Sequence, residues 1–300
     1  MKRILLDRNS WLQAEKGSSA DERRILNVSQ SVLSTLKYSD HFDFPLTLDE
    51  IHLRLVGARS FRPLLSKTIS SLLSTHQIEK HGIYYHLPNR QSLVPRRLKF
   101  AKLSIPLLTR AQTLATRLSR YPFILAIFLT GSLAVNNTNG DGDIDLMIIT
   151  KPKRLWTTRF FLTLYTTIFG LRRTPHSRNN SGKLCLNLYL TPTAFCLPAS
   201  RQSLYTAYEL IQAVPLYDPH NTRSALLSAN SWLKKYLPNH PLPKGREFRT
   251  LQNASVRNFW NYLEYIFFQL QYLYMKRRIT REHITPNSAF FHPHDPSPKV

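Results

Sequence analysis

Three almost wholly apolar runs constrain this chain most: FILAIFLT (123–130), IDLMIIT (144–150) and LCLNLYLT (184–191). Each has the length of a strand, and near-continuous apolarity is what a strand buried on both faces requires. The first two are separated by a stretch rich in Gly, Asn and Asp, the signature of a turn. Between the second and third, residues 153–170 have the apolar and aromatic content of a covering helix. Strand, turn, strand, helix, strand predicts a sheet flanked by helices, an α/β-type core inside an α+β chain.

On the N-terminal side of that core the periodicity changes. Ile25, Val28, Val32, Leu33 and Leu36 recur at the spacing of one helix face. Thr47 followed three residues later by Glu50 forms a capping box that predicts a second helix, with Leu48, Ile51, Leu53 and Leu55 as its apolar contacts. A third helix fits 60–75, with Leu64, Leu65, Ile69, Leu72 and Leu73 inward. IEKHGIYYHLP then reads as a hairpin about His81-Gly82. Three short helices and a hairpin are the order of a winged-helix-like domain, in which Arg59, Arg62, Lys67, Lys80 and His81 occupy the positions that touch nucleic acid.

The expected organisation is therefore a loose arm over 1–20, a winged-helix-like domain and linker over 21–97, and the core sheet over 98–200. A C-terminal helical region over 201–285 and an extended Pro-rich tail over 286–300 complete it. Residues 88–97 read as the linker, followed by a basic helix that Pro106 is expected to break or kink. The aromatic residues of NFWNYLEYIFFQLQYLYMKRR recur at helical spacing and are expected to pack on the core. No internal repeat is present.

Charge narrows the function classes. Forty-one Lys and Arg against eighteen Asp and Glu leave +23 at neutral pH, a field that draws in polyanions such as a nucleotide, RNA or DNA. Two cysteines without a CxxC pair make neither a disulfide framework nor a structural zinc site. The apolar run after the first basic residues stops at Asp7, unlike a signal peptide. The longest uncharged run contains Pro122 and Gly131 and ends in NNTNG, so no membrane span is expected, and the location expected is cytoplasmic.

The distribution of acids is more informative than the total. From Lys80 to Tyr208 there are eighteen Lys and Arg, and the only acids are Asp141, Asp143 and Asp145. Asp143 and Asp145 alternate at the start of the second strand, so both carboxylates project to one face while Ile144 and Leu146 enter the core. Side by side they repel by roughly 4 kcal/mol near a surface, a penalty that a divalent cation removes. Hard oxygen ligands select Mg2+ or Mn2+. At the end of the first strand, Gly131 permits a tight turn whose N–H groups can approach an anion, and Ser132 adds a hydroxyl. Asp141 is equally suited to a solvated β-turn.

Gly-Ser, a ten-residue spacer and Asp-hydrophobic-Asp-hydrophobic resemble the signature of the DNA polymerase β-type nucleotidyltransferase superfamily. The whole chain is also similar to uncharacterised bacterial nucleotidyltransferase-domain proteins. The resemblance spans roughly 100–195 and implies a mixed nucleotidyltransferase sheet. It implies that Gly131 and Ser132 bind nucleotide phosphates and that Asp143 and Asp145 are the metal ligands. It further implies transfer of a nucleoside monophosphate from an NTP to a hydroxyl or other acceptor. Active members usually carry a third carboxylate on a following strand, and the polar residue at the matching place here is Asn187, which is no base. Either Glu209 or Asp218 folds back to complete the site, or the acceptor supplies its own base, or nucleotide is bound without efficient turnover. The alternatives to an enzyme are a nucleic-acid-binding or regulatory protein with an idle core, and a protein-partner module of toxin–antitoxin type.

Lesser candidates are Lys183, placed to reach a phosphate, and a basic loop of Arg172, Arg173, His176 and Arg178. Lys276, Arg277, Arg278 and Arg281 end the last long helix, where cations suit its dipole. His292, His294 and Asp295 mimic a metal cluster in a Pro-rich tail. Neither a Ser-His-Asp elbow nor a P-loop occurs.

Overall fold

The computed structural model describes residues 8–173, 181–244, 258–277 and 283–291. The chain is mixed α+β, with two sheets, and divides into two compact units. One runs to Val94 and includes Lys234–His240; the other comprises Pro95–Leu233 and the described residues after Pro241.

The first unit begins with α1 (Arg8–Asp40), which buries Val28, Val32 and Leu36. The helix takes in residues 8–20, where a loose arm was expected. Then come β1 (Leu46–Thr47), α2 (Leu48–Leu53), α3 (Arg62–Ser74), β2 (Glu79–His81) and β3 (Tyr84–His86). The capping box forms as the sequence dictates. Thr47 Oγ1 accepts the Glu50 N–H at 3.3 Å, and Glu50 Oε2 accepts the Thr47 N–H at 2.9 Å. The α3 helix buries Leu65, Ile69 and Leu72, and the hairpin pairs with β1 to give the order β1-β3-β2. Asn239 stitches its segment to the turn before α3, accepting the Ser60 N–H at 3.0 Å and donating to the His52 carbonyl at 2.9 Å.

In the second unit the order continues with α4 (Leu93–Leu118), β4 (Ile124–Leu129), α5 (Gly131–Ala134), β5 (Ile144–Thr150), α6 (Leu155–Ile168) and β6 (Leu184–Leu190). The remaining elements are α7 (Leu204–Gln212), β7 (Val214–Tyr217), α8 (Thr222–Ser228), α10 (Asn258–Lys276), β8 (His283–Thr285) and β9 (Ser288–Phe290), while α9 (Leu233–Tyr236) falls almost wholly in the first unit. The six strands order as β7-β4-β5-β6-β9-β8. The β5/β6 pair is parallel and its neighbours are antiparallel. All six residues of β4 are buried, as a strand covered on both faces must be.

Three expectations are corrected. The α4 helix starts at Leu93 inside the expected linker and runs on through Pro106. Strand β7 interrupts the expected C-terminal helical region; it sits at the sheet edge, where Pro215 is tolerated. Part of the expected tail is not a tail: Ser288–Phe290 pairs with β6, and Ala289 is fully buried.

Helix α10 packs along α6 through polar groups as well as rings. The buried Glu264 carboxylate accepts the Trp156 and Thr157 N–H groups, both at 2.8 Å, and so caps α6. Phe160 stacks on Phe267 at 4.3 Å between centroids. Among the described residues no helix is long and apolar enough to cross a membrane.

Candidate active site

The site lies where β4 ends and β5 begins. Antiparallel pairing brings those two ends together, and the Thr130 N–H donates to the Asp145 carbonyl at 3.0 Å. The next residue, Gly131, has φ of +69° and lies against the Asp145 side chain. A Cβ at position 131 would run into the Asp145 carboxylate in a backbone conformation that side chains already strain, so glycine is required here. The Asp145 side chain therefore lies directly against the exposed Gly131-Ser132 turn.

The loop between them is tied down from below. Ser181 donates to the Gly140 carbonyl at 3.0 Å, and the Gly182 N–H donates to the Gly142 carbonyl at 2.9 Å. Arg110 of α4 in turn donates through Nε to the Gly182 carbonyl at 2.8 Å. The loop thus delivers Asp143 and Asp145 to β5 in a determined register.

The parallel neighbour supplies the rest. Cys185 stands beside Asp145 in the β5/β6 register, and Asn187, at the irregularity where that register shifts, is brought to the same carboxylate. The Asn187 amide donates to Asp145 Oδ1, and the Cys185 thiol donates to Asn187 Oδ1 at 2.6 Å. From the loop after α6, Arg173 donates through Nη1 to Asp143 Oδ2 at 2.6 Å. Ligand atoms of Asp143, Asp145 and Cys185 lie within 4.8 Å of one another.

Electrostatics follow from this crowding. Burial, with the Asp143 charge added, pushes the Asp145 carboxyl up to about 7; the Asn187 amide, the thiol and Arg173 pull it back only in part. The Cys185 thiol is pushed up to about 12, first by burial and then by the two aspartates. A neutral thiol is a poor ligand and a poor nucleophile at neutral pH. Two oxygen donors crowded until one holds its proton suit a hard divalent cation, which would displace that proton.

Of the residues expected from the sequence, Asp143, Asp145, Gly131 and Asn187 converge. Ser132 is exposed on the same turn. Lys183 sits at the start of β6, where its carbonyl accepts the Ile144 N–H at 2.8 Å. Asp141 lies outside the group, exposed in a turn in which its N–H donates to Asn139 Oδ1 at 3.1 Å.

Neither acid offered as a third carboxylate joins the group. Leu129 pairs with Val214 and Ile127 with Tyr217, so β7 runs away from the Gly131 turn and Asp218 leaves at the far end. There it caps α8, accepting the Thr222 and Arg223 N–H groups at 2.6 and 2.9 Å. Glu209 lies on α7, outside the group. His176, Arg178, Arg278, Arg281, His292, His294 and Asp295 lie outside the described residues.

Sequence reasoning missed two participants. The apolar pattern of the third strand gave no signal for Cys185, which the β5/β6 register sets beside Asp145. Sequence reasoning placed Arg173 in a basic loop with no specific partner, and only the pairing of Arg172 with Leu184 aims it at Asp143. No family model, curated protein or solved structure matches the chain.

Proposed function

We propose that this site binds a nucleoside triphosphate with Mg2+ or Mn2+ and that the protein is a nucleotidyltransferase, moving a nucleoside monophosphate to a hydroxyl acceptor. The observation that carries the reading is the packing of Asp145 against Gly131, which sets a crowded carboxylate pair beside a side-chain-free turn open to phosphates. Asp143 and Asp145 would hold the cation, and the Gly131-Ser132 turn would position the polyphosphate. Lys183 and Arg173 add positive charge at the rim. The bound metal would supply neutralisation of charge developing on the transferred phosphoryl group. The antiparallel β4/β5 pair followed by parallel β6 supports the nucleotidyltransferase sheet that the motif resemblance implies.

The first unit supports a winged-helix reading, with its helix–strand–helix–helix–hairpin order and β3 central. Arg59, Lys67, Lys80 and His81 are exposed on it, which suits contact with an RNA or DNA acceptor.

Purified protein with α-labelled NTPs and Mn2+ should transfer label, and Asp143→Asn should abolish it. Unchanged transfer in Asp143→Asn would sink the reading.

Asn187 favours a second reading, in which nucleotide binds without efficient turnover because no carboxylate base stands at that place. Asn187→Asp discriminates. Label transfer that rises in this variant marks the missing base as the limit; transfer already rapid in the natural protein and reduced in the variant counts against an idle core.

A further inference from the structure

Helix α10 carries two apolar faces, and the fold uses one. Trp260, Glu264, Phe267, Phe268, Gln271 and Met275 turn towards α6 and the core. A second row, Phe259, Leu263, Ile266, Leu270 and Leu273, repeats at spacings of four, three, four and three. That is the 3.5-residue seam with which one helix packs against another. Phe259, Leu270 and Leu273 are 61%, 58% and 61% exposed, and Leu263 and Ile266 are half-buried. Exposed apolar side chains aligned in one row, rather than scattered singly, point to an interaction surface.

We infer that this row is a homodimer interface, in which α10 pairs antiparallel with α10 of a second copy about a two-fold axis at Ile266. Three features select that occupant. A seam of strict 3.5-residue period needs a helix opposite it, and a second copy brings an identical one. Antiparallel pairing about Ile266 sets Phe259 against Leu273, large ring against smaller side chain, and brings Leu263 beside Leu270, a self-complementary match.

Charge is the third feature. The chain carries +23, which opposes self-association over most of its surface. From Asn258 to Met275, however, the only charged residue is Glu264, and it is buried in the α6 cap. The helix cations begin at Lys276, ten residues from the axis. Antiparallel pairing holds the two copies' Lys276 residues ~30 Å apart, beyond the ~10 Å over which salt leaves exposed charges interacting. Parallel pairing would set them side by side. Charge-free at its centre and basic only beyond its end, the row fits itself better than it fits an acidic partner.

Sedimentation equilibrium of the full chain at tens of micromolar and physiological salt tests this. Twice the chain mass is expected, and Leu270→Glu with Leu273→Glu should weaken association by at least about tenfold with an unchanged thermal transition. Tyr265→Glu, also exposed but about 120° round the helix from the seam, should leave the dimer intact. Should the double variant misfold, Ile266→Cys in a Cys196→Ser background should oxidise to a cross-linked dimer while Tyr265→Cys does not. A natural chain that stays monomeric, a dimer indifferent to the seam variants, or a monomer that instead sediments with anionic phosphatidylserine vesicles would overturn the inference.

Discussion

Two carboxylates in the same unit are treated in opposite ways. Glu264 is 8% exposed, and each of its oxygens accepts a backbone N–H at 2.8 Å from the first turn of α6. Its charge completes a helix terminus that would otherwise leave donors unsatisfied. Asp145 is also largely enclosed, yet it has one amide donor, a neutral thiol and a second carboxylate for company. The first arrangement stabilises an ionised acid with fixed dipoles. The second leaves the acid short of positive charge, which is the condition under which a cation binds and the fold bears the strain meanwhile.

That contrast can be broken most forcefully at Glu264. Glu264→Ala strips two buried N–H groups of their acceptor and should destabilise the protein by about 3–5 kcal/mol, read as a lower denaturant midpoint, with Mn2+ affinity per folded molecule unchanged. Asp145→Asn should do the reverse. Without metal at pH 8 it should stabilise by about 1–2 kcal/mol, while Mn2+ binding followed by electron paramagnetic resonance is lost. If both variants destabilise alike, the distinction between the two acids fails.

A finer test uses pH. Asp145 moves from an ordinary 3.8 to about 7 on folding, so the folded state holds its proton more tightly than the unfolded chain. The resulting stabilisation is complete below about pH 4, declines as pH rises, and is gone above about pH 7. The melting temperature of metal-free protein should therefore fall across that window relative to Asp145→Asn, and saturating Mg2+ should restore it at the alkaline end. Parallel curves for the two proteins would show that Asp145 titrates normally.

The smallest effect concerns Arg173, whose ion pair with Asp143 is half-exposed on the arginine side. Such pairs are worth below about 1 kcal/mol. Arg173→Ala should tighten metal binding in the absence of nucleotide by about two- to fivefold, because a competitor for Asp143 is removed; weaker binding would mean that the guanidinium organises the site instead.

Local patterns were legible where one interaction range determines them. The three apolar runs became β4, β5 and β6, because continuous apolarity has few other solutions. The Thr47–Glu50 box capped its helix through bonds spanning three residues. Alternation put Asp143 and Asp145 together, and the Gly131 turn was readable beside them. Short edge elements were not legible. VPLY in β7 and the HIT and SAF strands of the β8/β9 hairpin are too brief to show a period, and the strands that seat them in the sheet, β4 and β6, lie far away in sequence. Pro106 does not break its helix: its local cost is real, but α4 is held by tertiary packing of Leu107, Ala111 and Leu114 in the core.

By itself, then, the sequence determined which strands are buried, which helix is capped, and that two acids in a basic stretch share a face with a glycine bend at hand. Only tertiary structure decided what completes the site. Parallel pairing put Cys185 and Asn187 where a third carboxylate was sought, antiparallel pairing carried Asp218 away, and a loop bond aimed Arg173 at Asp143. Strand register is a long-range choice made by the whole sheet, and one residue of slip would have exchanged Asn187 for an apolar neighbour.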